Sequence, residues 1–95
     1  PGADFGMTLE RRGEMLVITS LPVQDMALLS LAVALGREGE QVLAALLRGE
    51  RVFLLSSGLE YKQYRRTAPR GIYTAFTAME RRLREMGIGL LREEG

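Results

Sequence analysis

The sequence predicts a small α/β domain. Its strands and helices should run β-α-β-α-β, with a small parallel sheet in a three-layer arrangement that is half of a doubly wound fold. Three observations predict this. Two short runs, Glu14 to Ser20 (EMLVITS) and Arg51 to Ser57 (RVFLLSS), are apolar on both faces, as central strands of a parallel sheet are. Segments with helical patterning follow each run. Parallel neighbours need crossover connections of a dozen or more residues, and the connections here are long enough to supply right-handed ones.

Residues 1 to 13 hold three glycines, a proline and the pair Arg11-Arg12, and are expected to form an N-terminal loop with a short extended piece at Met7 to Leu9. The domain proper is expected over residues 14–95. Val17, Ile18 and Thr19 are β-branched and suit the first strand. Pro22 fits the first turn of a helix, where its missing N–H costs nothing, and Asp25 meets the positive end of the helix dipole there. From Met26 to Leu35 the helix is apolar nearly all round, which predicts burial on most sides.

Gly36 and Gly39 each cost about 1 kcal/mol relative to alanine inside a helix, so a kink or break is expected there. Val42, Leu43, Leu46 and Leu47 then share one face of a second helical segment, and Gly49 stops it. After the second strand, residues 60–71 are polar and basic and are expected to form a loop. Ile72, Phe76, Met79, Leu83 and Met86 recur at spacings of four and three, the stripe of an amphipathic helix with Glu80, Arg81, Arg82, Arg84 and Glu85 mostly outside, forming a solvated face. Gly87 ends it, and Ile88 to Leu91 is a last short strand.

Composition narrows the chemistry. Hydrophobic residues at 46% and charged residues at 26% are ordinary globular values, so the chain should fold. The net charge of +1 creates no broad field to attract nucleic acid or acidic lipid. Cysteine and histidine are both absent, which removes thiolate chemistry, disulfides and the usual general base. No complete catalytic machinery can be read, and the balance tilts away from an enzyme. The longest apolar stretch, Met26 to Leu35, is far shorter than the roughly 20 residues a membrane helix needs. The opening PGADFG lacks the basic-then-apolar layout of a secretory leader, so a cytoplasmic location is expected. Pro1 rather than Met opens the sequence, and a longer parent chain is expected.

Two groups of residues qualify as sites. In an open parallel sheet the ligand crevice lies beyond the carboxyl ends of the strands. Thr19 and Ser20 stand at one such end, and Ser56, Ser57 and Gly58 at the other, with Gln24 in the first turn of the next helix. Hydroxyls and free helix N–H groups there would hold a phosphate or ribose. The plain alternative is that serine and threonine cap helices and turns. The second group is Lys62, Arg65, Arg66 and Arg70, interleaved with Tyr61 and Tyr64. Rings stack on bases and cations hold phosphates, so this segment would grip a nucleic acid, an anionic peptide or a phosphate. The plain alternative is a solvated connector with its tyrosines on the domain edge.

The order VITSLP, buried helix, VLAALLRGERVFLL, amphipathic helix, GIGLLRE resembles the flavoprotein-like family encoded with bacterial microcompartments, found among ethanolamine- and propanediol-utilisation proteins. The likeness spans residues 14–92 and corresponds to the C-terminal half of that family's domain. Leu46-Leu47-Arg48-Gly49-Glu50-Arg51 is similar to the family's step from helix into strand, with Glu50 where a basic residue is usual. The resemblance implies a flavoprotein-like, Rossmann-like fold and FMN as the cofactor. FMN-binding relatives place an asparagine after the first hydroxyl-rich turn, and this chain contains no asparagine.

The resemblance therefore implies an accessory or assembly component of a microcompartment, with a degenerate domain that meets shell or core proteins. The alternative it implies is an FMN-binding flavoprotein, redox or decarboxylase-like, with Ser20, Ser57 and Gly58 along the cofactor edge. A third reading, from the residues themselves, is anion or nucleic-acid binding through residues 61–70. Homo-oligomers are expected under all three, because half of a doubly wound sheet leaves an apolar edge and faces to cover.

Overall fold

Side chains alternate across a strand, so each apolar run must feed two faces of the sheet. The computed structural model of the chain describes residues 6–92. Its elements are β1 (Thr8–Arg12), β2 (Met15–Ser20), α1 (Val23–Leu29), α2 (Arg37–Leu47), β3 (Arg51–Leu55), α3 (Arg70–Glu85) and β4 (Ile88–Leu91). Two 3-10 turns, Ser56–Gly58 and Glu60–Tyr64, follow β3. The sheet order is β1-β2-β3-β4. β2 pairs with β3 in parallel, β3 with β4 in parallel, and β1 with β2 in antiparallel fashion. The expected α/β class and its parallel β-α-β-α-β run are present.

On one face, Leu16 and Ile18 of β2 join Val52 and Leu54 of β3 and Ile88 of β4. Met26 and Leu29 of α1, Val42 and Ala45 of α2 and Leu83 of α3 enter the same buried cluster. Right-handed crossovers between strands added in sequential order fall on one side of a sheet, which brings the three helices together here. Burying a side chain of this size stabilises the fold by about 1.5–3 kcal/mol, so this cluster carries most of the cohesion. On the opposite face Val17 and Leu55 are buried outside that cluster. There Phe53 lies across Gly89, whose absent Cβ would come 2.7 Å from the ring, and the Arg51 guanidinium sits 5.7 Å from the ring centre.

The N-terminal segment corrects the reading of residues 1 to 13 as a loop. Thr8–Arg12 is a strand that extends the sheet beside β2, while Pro1 to Phe5 lie outside the described residues. Gly13 adopts the left-handed φ of 59° at the turn into β2. Glu10, Arg11 and Arg12 hid the strand, because an edge strand keeps its charges in water and shows no long apolar run. Arg12 reaches back to Glu10 at 2.9 Å along that edge. Met7, just before β1, is buried in the core, and its N–H is accepted by the buried Asp25 carboxylate. Burial raises the Asp25 pKa, against the lowering effect of that hydrogen bond.

The helix expected to run buried to Leu35 stops at Leu29. Ala32 takes a left-handed φ of 60°, its N–H bonds Leu29 O, and the Val33 N–H bonds Leu28 O. Those two bonds close a Schellman turn, usually marked by glycine, and alanine concealed it. Leu31, Val33 and Leu35 consequently emerge into solvent at 64%, 44% and 54% exposure. The break at Gly36 falls as expected, and Gly49, with φ of 79°, ends α2 through the same kind of turn.

β2 and β3 keep contact beyond their last regular pairs. The Leu21 N–H donates to Gly58 O at 2.8 Å, and the Glu60 N–H donates to Leu21 O at 3.3 Å. Gly58 is required by this approach, since a Cβ on it would lie 2.3 Å from Thr19 O. Gly58→Ala is expected to destabilise by about 1–3 kcal/mol, read as a lower urea midpoint. Gly71→Ala in α3, where nothing lies within 4 Å, is expected to stabilise by about 0.4–1 kcal/mol in the same assay.

Candidate functional site

The crevice at the carboxyl ends of β2 and β3 exists, but Thr19, Gly58 and Glu60 in it are committed within the chain. Thr19, Ser20, Ser57 and Gly58 meet there with Pro22, Glu60 and Gln63 around a polar cleft of about 460 Å³. Gln24 is exposed, and neither it nor Ser56 lines the cleft. The Thr19 hydroxyl shares a 2.6 Å hydrogen bond with the Thr8 hydroxyl and also donates to Thr8 O at 3.2 Å. Gly58 admits the backbone of Thr19 rather than a ligand. The Val23 N–H, at the start of α1, donates to Glu60 Oε1 at 2.9 Å. A built-in carboxylate therefore stands where a phosphate would be held, and it repels one. Ser20, Ser57 and Gln63 remain as the polar side chains facing this cleft without a partner among the described residues.

The basic segment has a different outcome. Residues 60–64 are a 3-10 turn rather than an open loop, and the turn drives Tyr61 into the core at 4% exposure. The Tyr61 ring lies 5.3 Å from Tyr73 and 5.8 Å from Phe76, centre to centre. Around these rings Val23, Tyr64, Ala68 and Ile72 complete an apolar groove of about 280 Å³. Its floor is aromatic and its lip is unusual: Tyr64 and Ile72 are 41% and 49% exposed. The Tyr64 hydroxyl donates to Glu60 Oε2 at 3.1 Å, and that bond raises the Tyr64 pKa. Glu60 thus bridges the start of α1 to the lip of the groove.

Lys62, Arg65, Arg66 and Arg70 are all exposed, and none has a carboxylate partner among the described residues. Arg65 and Arg66 directly follow Tyr64, and Arg70 opens α3 two residues before Ile72. The first turn of α3 contains no acidic residue to offset them. Lys62 lies towards the other side of Tyr61, near Glu80 and Arg84.

Glu80 corrects its own placement on the solvated face of α3, being buried at 9% exposure. The Tyr61 hydroxyl donates to Glu80 Oε1 at 2.5 Å, and Arg84, one turn on, donates to Glu80 Oε2 at 3.1 Å. A buried carboxylate needs such partners, and here they latch the 3-10 turn to α3 beneath the groove. Arg82 stays exposed yet donates to Ser30 O at 2.7 Å, satisfying the end of α1. The groove itself escaped the sequence reading, because its residues come from three elements. A signal was nonetheless present: the connector's Tyr61 and Tyr64 are followed at once by Ile72, Tyr73 and Phe76 at the start of the helix, a density of large side chains that a solvated segment rarely carries.

Among the described residues no group of three or more His, Cys, Asp or Glu side chains is placed to hold a metal ion, and no helix is long and apolar enough to cross a membrane.

Burial, then the bond to Glu80, raise the Tyr61 pKa well above the ordinary value of about 10. The folded state therefore favours the neutral phenol. Its contribution is complete below pH of about 10 and is lost as pH climbs from there through the higher folded value. Tyr61→Phe is expected to cost about 1.5–3 kcal/mol at neutral pH, and the gap from wild type should narrow above pH of about 10. Urea midpoints across that range check both statements.

No protein-family model matches this sequence, and no curated protein or solved structure matches it.

Proposed function

We propose that the protein is a non-enzymatic accessory component that docks a partner protein through the aromatic groove formed by Tyr61, Tyr64, Ile72, Tyr73 and Phe76. One observation carries the reading: an apolar groove of about 280 Å³ stays open beside exposed Tyr64 and Ile72, while in the crevice the Thr19 hydroxyl and the Val23 N–H at the helix start are engaged internally. Small proteins rarely leave large apolar side chains grouped at the surface unless something covers them. The absence of histidine and cysteine from the sequence supports a binding role over a catalytic one. The resemblance to microcompartment-encoded proteins suggests the class of partner, a shell or core protein of such an assembly. FMN has less support, because Glu60 occupies the helix start that would receive its phosphate.

Co-expression with the proteins encoded by its neighbouring genes, followed by size-exclusion chromatography, tests the proposal. Wild type should co-elute with at least one of them. Ile72→Glu, at a half-exposed position that folding tolerates, should keep the wild-type melting temperature and weaken that association by at least about tenfold. Co-elution that is indifferent to Ile72→Glu, or no co-elution with any of them, would overturn it.

A further inference from the structure

We infer that the segment docking in this groove is a short acidic stretch of a partner protein, with an apolar side chain seated between Tyr64, Ile72 and Tyr73 and carboxylates meeting Arg65, Arg66 and Arg70. This rests on the proposed docking role and adds the partner's chemistry. Charge decides the sign. Arg65, Arg66 and Arg70 flank the groove residues Tyr64, Ala68 and Ile72 along the chain, are exposed, and have no carboxylate partner among the described residues. The adjacent acid, Glu60, is already occupied by the Val23 N–H and the Tyr64 hydroxyl. Three exposed arginines without a carboxylate partner among the described residues, next along the chain to groove residues, offer planar guanidiniums that match carboxylates in bidentate fashion.

Size and polarity decide the rest. A volume of about 280 Å³ falls below the roughly 300–1,000 Å³ of drug- and cofactor-sized pockets, but suits an anchoring side chain or two. Of the three hydroxyls at the groove two are committed, Tyr61 to Glu80 and Tyr64 to Glu60, which leaves the Tyr73 hydroxyl as the one without a hydrogen-bond partner among the described residues, too few free donors to recognise a polar ring edge. A peptide fits better than a nucleic acid for a further reason. Base stacking needs open aromatic faces, and the Tyr61 ring is packed against Tyr73 and Phe76.

Selection from a random dodecapeptide display library against the intact protein tests the inference. Peptides enriched on wild type should be acidic and carry a Leu, Phe or Trp. An enriched peptide made synthetically should bind about tenfold more weakly to Arg65→Glu/Arg66→Glu, should weaken as salt rises, and should lose binding to Ile72→Glu. Neutral or basic peptides that still depend on Ile72 would overturn the acidic partner while leaving the docking role standing. Enrichment that survives Ile72→Glu, or no enrichment at all, would remove both. Tight binding of a thymidine dodecamer that displaces the peptide would assign the basic border to nucleic acid instead and overturn the inference.

Discussion

The parallel pairing of β2 with β3 is the constraint on which the rest of the molecule depends. Leu16, Val17 and Ile18 lie against Val52, Phe53 and Leu54 in register, and the pairing persists past both strands through Leu21, Gly58 and Glu60. Strands joined in parallel need a crossover, so α1 and α2 must lie on the sheet and bury Met26, Leu29, Val42 and Ala45 there. The extension past the strand ends does something more local. It fixes the chain after β3 in a tight 3-10 course, which sets Glu60 at the start of α1 and turns Tyr61 inward.

From that point the groove follows by packing. Tyr61 is held from below by Glu80 and from the sides by Tyr73 and Phe76. Glu80 is tolerable inside the protein because Tyr61 and Arg84 share its charge. The latch joins the turn to α3 and leaves Tyr64, Ala68 and Ile72 around an unfilled apolar hollow. The polar crevice nearby is where a ligand would be sought first in a parallel sheet, yet its key groups serve the fold. Thr19 ties β2 to Thr8, Gly58 accommodates Thr19, and Glu60 satisfies α1.

Features that rest on local chemistry were legible in the sequence. The apolar runs at Leu16 to Ile18 and Val52 to Leu55 announced buried strands, and Gly36, Gly49 and Gly87 marked real chain reversals or helix ends. Features that rest on tertiary context were not. β1 was masked by Glu10, Arg11 and Arg12, because an edge strand needs burial on little more than Leu9. The end of α1 was masked by Ala32, which adopts a glycine's conformation. Glu80 looked like a surface charge until its partners, nineteen residues back and four ahead, were in place. Of the crevice, Thr19, Ser20, Ser57 and Gly58 do converge, whereas Gln24 and Ser56 do not line it. Of the basic residues, the pattern with Tyr64 was visible, but the hollow beside it needed three elements to meet.

Amide hydrogen exchange at Leu21 and Glu60 tests the central claim most directly. If the β2–β3 pairing continues beneath the groove, these two amides should exchange nearly as slowly as those of Val17 and Phe53 in the sheet centre. Exchange at the rate of a solvent-exposed loop would mean that the turn bearing Tyr61 is not tied to the sheet, and the groove would lose its foundation.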